Sequence, residues 1–466
     1  MQPSGMIPVA FFVKKLYIIF SSGLPVPAHP NTVHSRMLLI YNLLFPLVFL
    51  FFLPGLIVKY IRRSGYKKTY FERFGIFGAA RRRELKEWRG ATWLHAVSVG
   101  ETNLTLPLLK AWAEAEPDRK FVLSTTTTTA QEIARNKVDP ARVKVIFCPI
   151  DWCFFVWSAM RLIRPSELVI FETELWPQMI STAKRSGAKL MLANTRISDH
   201  SYRGYRRFRF VIAPMLRKFD HICAQTELDR ERLLTIAPGI DARISVCGNI
   251  KFDQAPPAGE GADFPSIFGE TGITVLLAAS THSPEEPLIL DTFMSLQKDF
   301  PALRLVLVPR HAERGGEIEK MIRDRGLSYH RRSNDTGDKQ GFSVLLADTT
   351  GELARLIKGA DLVIMGKTLA GNDEGQNIIE PATMGKAVVC GPRLKNFRQA
   401  LDVLVKGDAV CRIMKDDELP GAVRSLLADP EKRREFGERA RAVMLKSRGA
   451  LEKVLAAVRE AQPPLR

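Results

Sequence analysis

Thr92-Trp93-Leu94-His95-Ala96-Val97-Ser98-Val99-Gly100-Glu101 decides the fold class. A short apolar run ends at a turn with Gly100, and a carboxylate stands where a helix begins. The succession of strand, turn and helix then repeats along the chain, the pattern of parallel α/β layers. Strands are predicted at Thr92–Val97, Lys120–Ser124, Val143–Phe147, Leu168–Phe171, Lys189–Ala193, His221–Ala224 and Ile244–Cys247. Residues 254–270, QAPPAGEGADFPSIFGE, are rich in Pro, Gly and Ala and read as an interdomain linker. The alternation restarts at Thr274–Ala278, Leu303–Val308, Val344–Ala347, Leu362–Met365 and Ala387–Cys390, and the tail after Asp416 is helical and charged. Two doubly wound, Rossmann-like domains are expected, over 61–253 and 271–466. In such sheets ligands bind beyond the carboxyl ends of the strands, which places the expected active site in a cleft between the domains.

Upstream of the first domain, residues 37–58 (MLLIYNLLFPLVFLFFLPGLIV) carry no charge. About 20 apolar residues span a bilayer, so 37–60 is expected to be a membrane anchor. Pro46 and Pro54 would kink it, leaving a shallow, re-entrant anchor open; a buried core helix is the alternative reading. Lys59, Arg62, Arg63, Lys67 and Lys68 follow, placing the bulk of the chain on the cytoplasmic side. Residues 1–36 read as an upstream, non-native or disordered extension, with Met37 the natural start.

The formal net charge of +18 favours an anionic partner. Residues 59–89 hold eleven Lys or Arg against three Glu, and Arg203, Arg206, Arg207, Arg209, Arg217 and Lys218 form a second basic block. A solvated face accounts for a charge run taken alone. A basic block abutting an apolar segment suits anionic headgroups, whereas nucleic-acid binding lacks any recognition motif. The six cysteines form no CxxC and read as reduced thiols, and the His are scattered without ligand spacing, so no metal site is expected.

Common signatures fail. Gly366-Lys367-Thr368 resembles the end of a P-loop, but Asp361 stands where the earlier glycine is needed. No G-x-G-x-x-G follows a first strand, Ser98 lacks the glycines of a nucleophile elbow, and no D-x-D occurs to hold a metal–pyrophosphate complex.

What remains lies at strand-to-helix turns. Glu101 suits a general base, or equally a helix start stabilising the macrodipole. The same two readings apply to Glu172 and Glu174 in FETELWP (171–177). In Ser280-Thr281-His282-Ser283-Pro284-Glu285-Glu286, a capping box of Ser283 and Glu286 with Pro284 at the first helical position is predicted. Ser280, Thr281 and the N–H groups before that helix suit a phosphate. Arg310, ending the next strand in VPRHAER (308–314), suits a phosphate or a surface position. Asn377 and Glu380, predicted one turn apart on a short helix after Gly375, suit phosphate and ribose respectively.

Taken in order, WLHAVSVGE (93–101), FETELWP, LANTRIS (192–198), GNIKFD (248–253), AASTHSPEE (278–286), VPRHAER, DTTGEL (348–353) and QNIIEPATMGKAVVCGP (376–392) resemble the Kdo transferases of lipopolysaccharide assembly, over about residues 37–445. The resemblance implies a GT-B fold, CMP-Kdo as donor, a lipid A precursor as acceptor, and inverting, metal-independent transfer without a cofactor at the inner membrane. It implies that Glu101 is the base, supported by Glu172 or Glu174. Ser280, Thr281, Arg310, His311, Gly351, Glu352, Gly375, Asn377 and Glu380 would line the CMP pocket. Arg196, Ser201, Arg203, Arg206 and Arg207 would receive acceptor phosphates. The family usually has Gly-Gly-His-Asn where this chain has Glu374-Gly375-Gln376-Asn377. Gln cannot carry charge near neutral pH, so donor affinity or its pH dependence is expected to differ. Two other readings stand beside this one: a GT-B enzyme using a UDP- or ADP-sugar, and a membrane-surface binding protein without catalysis.

Overall fold

The computed structural model describes residues 37–47, 49–50, 69–254 and 259–460. The chain divides into one unit of residues 1–250 plus 449–466, and a second of residues 251–448.

The first unit is built on a seven-stranded parallel sheet. Its strands are β1 (Thr92–Ala96), β2 (Phe121–Thr125), β3 (Val143–Phe147), β4 (Glu167–Phe171), β5 (Lys189–Thr195), β6 (His221–Ala224) and β7 (Ile244–Val246), in the order β3-β2-β1-β4-β5-β6-β7. All seven predicted strands are present. Alternating side chains feed two cores: Trp93, Ile146, Leu168 and Ile170 on one face, Leu94, Leu123, Val169 and Met191 on the other. Burial on both faces explains the continuous apolar runs. The strand order reverses between β1 and β4, so their carboxyl ends form the switch point where loops diverge and ligands bind.

The second unit carries an eight-stranded sheet of β8 (Thr274–Thr281), β9 (Leu303–Pro309), β10 (Tyr329–Arg331), β11 (Thr336–Gly337), β12 (Val344–Leu346), β13 (Leu362–Met365), β14 (Ala387–Cys390) and β15 (Cys411–Arg412), ordered β11-β10-β12-β9-β8-β13-β14-β15. It is parallel except for the β10–β11 pair. Its switch point lies between β8 and β13, again at the sheet's centre.

Two expectations need correction. The boundary falls at Ile250/Lys251 rather than across 254–270, and Phe264–Phe268 is a helix of the second unit; residues 255–258 of that segment lie outside the described residues. The last helix, Ala450–Glu460, belongs with the first unit, where Ala450, Val454 and Val458 are buried in its core. Among the described residues, which include only part of the expected anchor, no helix is long and apolar enough to cross a membrane. Residues 37–47 are helical and lie against the first unit. Tyr41 donates to the buried Asp151 at 3.2 Å, and the Trp152 indole and Cys153 amide donate to Asn42. Phe45 stacks on Trp152 at 6.1 Å. The rest of the expected anchor with its basic flank, 51–68, and the 1–36 extension lie outside the described residues.

Candidate active site

In the first unit, β1 stops at Ala96 and, after Val97 and Ser98, the helix Val99–Ala115 begins, capped by Ser98. The Ser98 Oγ accepts from the Glu101 N–H at 3.2 Å and donates to its Oε1 at 3.0 Å, and the Val97 N–H donates to Oε2 at 2.7 Å. Ser98 caps the helix and Glu101 reaches back one residue beyond it, a variant of the capping box, so the helix-start reading of Glu101 is correct as structure. Capping does not exhaust the residue. Each carboxylate oxygen keeps a second lone pair, and burial, then Glu174 and Glu172, push the Glu101 pKa up to about 8.

These two carboxylates come from the turn after β4. Glu172 holds a left-handed backbone (φ 56°), uncommon for a residue with a side chain and typical of constrained sites. Glu174 accepts from the Trp176 indole at 3.0 Å, and burial raises its pKa. Trp176 also meets the buried His95 ring edge-on at 5.2 Å. The three predicted acids are therefore gathered at the switch point.

The predicted acceptor-binding residues lie one strand over. Arg196 follows β5, and its carbonyl accepts from the Thr173 hydroxyl. The helix Asp199–Arg207 carries Ser201 half-buried and Arg203, Arg206 and Arg207 exposed. Tyr205 of that helix donates to the Thr173 carbonyl at 3.4 Å, tying the arginine helix to the carboxylate loop. Trp176 was read from the sequence, with Pro177, as fixing the turn after β4; Tyr205 was not singled out, since its role rests on a contact between separate segments.

In the second unit, Ser280 and Thr281 end β8, and Arg310 and His311 follow β9. The Arg310 N–H donates to the Thr281 carbonyl at 3.0 Å, joining the two ends. Ser280 holds φ 57°, and the Thr281 Oγ1 is buried without a partner. Arg310 is exposed, its guanidinium making no hydrogen bond or ion pair among the described residues. His282 and His311 meet edge-on at 5.2 Å, and burial lowers the His282 pKa.

The capping box predicted at Ser283 and Glu286 is not formed. Pro284 is the N-cap residue of the helix Glu285–Gln297, with no side-chain cap, and Glu286 instead pairs with Arg314 at 2.6 Å. Glu285 takes the role of organiser. Its fully buried carboxylate accepts from the His282 N–H at 2.9 Å, and from Lys367, Thr368 and Leu369 N–H at 2.7, 2.6 and 2.8 Å. The donors that a phosphate was expected to find before this helix are thus partly taken by an internal carboxylate.

The remaining predicted donor residues divide. Gly375 holds φ +71°, and a Cβ there would meet the Leu394 side chain at 2.5 Å, so the turn requires glycine. Asn377 lies before the helix Ile379–Thr383 rather than on it, with Oδ1 buried and unpartnered. Glu380 is half-buried, and burial raises its pKa, which suits an acceptor for sugar hydroxyls. Glu352 is committed to Arg332 at 3.0 Å and Thr349 at 2.6 Å; the adjoining Gly351 (φ +91°) has open space at its Cβ position. Among the described residues no group of three or more His, Cys, Asp or Glu is arranged to hold a metal ion.

Residues 68–254 match the family model described as 3-deoxy-D-manno-octulosonic-acid transferase (kdotransferase). The chain is 30% identical to the 3-deoxy-D-manno-octulosonic acid transferase of Bordetella pertussis over 412 residues, covering 86% of this chain and 94% of that one. It is 27% identical to the Haemophilus influenzae enzyme of the same name, over 85% and 92% of the two chains. Solved structures share the fold at low identity. HepE of Anabaena, in complex with UDP, covers 79% of this chain at 15% identity with a TM-score of 0.53. A glycosyltransferase from Rickettsia africae covers 80% at 12% identity with a TM-score of 0.52. Two parallel-sheet α/β units of GT-B type are the architecture common to them.

Proposed function

Because the chain belongs to the 3-deoxy-D-manno-octulosonic acid (Kdo) transferase family, we propose that it moves Kdo from CMP-Kdo to a hydroxyl of a lipid A precursor, with inversion and with Glu101 as general base. The observation that carries this reading is the buried Glu101 carboxylate at the switch point of the first sheet, its pKa raised to about 8 beside Glu174 and Glu172. A carboxylate with so raised a pKa is a stronger base than an ordinary one, matched to taking a proton near neutral pH.

In the proposed step the acceptor oxygen attacks the anomeric carbon of Kdo from the face opposite the phosphate. The bond from that carbon to the phosphate oxygen breaks, its electron pair leaves with CMP, and the hydroxyl proton passes to Glu101. Glu172 and Glu174 favour the charge of an oxocarbenium-like sugar. Arg310, with its uncommitted guanidinium, receives the departing phosphate, while Ser280, Thr281 and Asn377 offer further polar contacts and Glu380 accepts from the ribose. A monophosphate leaving group held by cationic side chains needs no divalent ion, consistent with a sequence lacking D-x-D. Arg203, Arg206 and Arg207, with Arg196 and Ser201, are proposed to hold acceptor phosphates.

We place the enzyme at the cytoplasmic face of the inner membrane. Leu39, Leu43, Leu47 and Leu50 are 61, 66, 65 and 60% exposed along residues 37–50, on the helical spacing opposite Tyr41 and Phe45. Such a row supports a surface contact with lipid. Donor choice is tested by offering CMP-Kdo, UDP-sugars and ADP-sugars with a tetraacylated lipid A precursor and reading products by mass. Addition of Kdo alone is expected; a hexose adduct, or none from any donor, would overturn the assignment.

A further inference from the structure

Lys367 stands immediately after Gly366 at the carboxyl end of β13, the central strand beside β8. Its backbone is left-handed (φ 59°), a conformation that favours glycine, so a side chain is kept there at a cost. Its ammonium, about three-quarters buried, pairs with the more exposed carboxylate of Glu374 across the turn 366–375. Lys367 also lies close enough to His282 to disfavour that ring's protonation.

The backbone of this turn is held fast. Glu285 takes the N–H groups of Lys367, Thr368 and Leu369, and Asp416 takes that of Ala370 at 3.1 Å. The Gly375 N–H donates to the Lys367 carbonyl at 2.8 Å, and the Asp373 and Glu374 carbonyls accept from Lys395 and Asn396 N–H. With these groups engaged, the side chains of Lys367 and Glu374 are what can answer a ligand.

We infer that Lys367 is a donor-binding residue, whose ammonium exchanges Glu374 for the phosphate of the nucleotide when the donor binds. The inference rests on the nucleotide-binding reading of the second unit given above. Glu374 is an internal competitor: it keeps the cation paired while the site is empty and lowers affinity for the incoming anion. A pair whose carboxylate stands half in solvent is weak, so a phosphate, which offers more charge and more acceptor oxygens, displaces it.

The test is calorimetric titration of the full-length protein and its Lys367→Gln, Lys367→Gly and Glu374→Gln variants with CMP, UMP and cytidine. Lys367→Gly relieves the left-handed backbone, so it retains the fold even where Gln would strain it. Both Lys367 variants are expected to bind CMP about tenfold more weakly, and Glu374→Gln about threefold more tightly. Cytidine, lacking the anion, is expected to bind all four proteins alike. Equal losses for CMP and cytidine would reveal a merely structural role and overturn the inference, as would unchanged CMP affinity in the Lys367 variants or weaker binding by Glu374→Gln. Preference of the wild type for UMP would overturn the cytidylate reading alone, with the same comparison then made on UMP. Binding of neither nucleotide would overturn both.

Discussion

The Glu101 carboxylate serves the fold and, on the proposed reading, the chemistry through different lone pairs: one set caps its own helix and the other is left for a proton. Burial beside Glu174 and Glu172 raises its folded pKa to about 8, against an ordinary 4.5. A base acts when deprotonated, so the rate of sugar transfer is expected to climb as pH rises through about 8 and to level above it. Stability runs the other way. A raised folded pKa gives a contribution that is complete below 4.5 and is lost as pH rises through about 8. Glu101→Gln is therefore expected to melt above the wild type at pH 9 and close to it at pH 5, in paired thermal scans. A variant less stable than wild type at pH 9 would contradict the account. The sequence alone left base and cap as alternatives for this residue, because the neighbours that perturb it, Glu172 and Glu174, are more than seventy positions away.

At the scale of elements, legibility followed burial. Strands β1 to β7 are apolar runs of three to seven residues and were read where they stand. The strands β10, β11 and β15 were missed because each is two or three residues long, half-buried or exposed, and set by pairing with a neighbour rather than by its own pattern. The turns were harder. A local rule put the cap at Ser283 and Glu286, whereas Glu285 reaches across 82 to 84 positions to three N–H groups of the turn after β13. Lys367 was met only as part of a failed P-loop match, since its pairing depends on the same long-range turn. Glu285→Gln replaces an acceptor by an amide that faces buried donors. It is expected to destabilise the protein by about 3 kcal/mol in urea unfolding, the cost of leaving buried N–H groups unmatched. A loss below about 1 kcal/mol would show that the carboxylate is not the clasp between the β8 and β13 turns.

At the scale of the molecule, the chain's two-domain plan was legible from the restarted alternation, but its bookkeeping was not. The C-terminal helix returns to the first unit because Ala450, Val454 and Val458 complete that unit's core, a pairing between segments some 200 residues apart. The apolar N-terminal segment suggested a span from composition. Within residues 37–47, Tyr41 and Phe45 contact Asp151 and Trp152, leaving the leucine row outward. Replacing Leu39, Leu43 and Leu47 together by Ser is expected to cut flotation with phosphatidylglycerol-containing vesicles at least about tenfold, each buried leucine contributing about 1.5–3 kcal/mol. Undiminished flotation would remove this row from the proposed lipid contact. The central claim, transfer of Kdo with Glu101 as base, is tested most directly by single-turnover mass measurement of wild type and Glu101→Gln with CMP-Kdo and a tetraacylated lipid A precursor in EDTA. The account predicts a Kdo adduct from the wild type and a rate at least about 100-fold lower from the folded variant. An adduct formed by Glu101→Gln at the wild-type rate would contradict it.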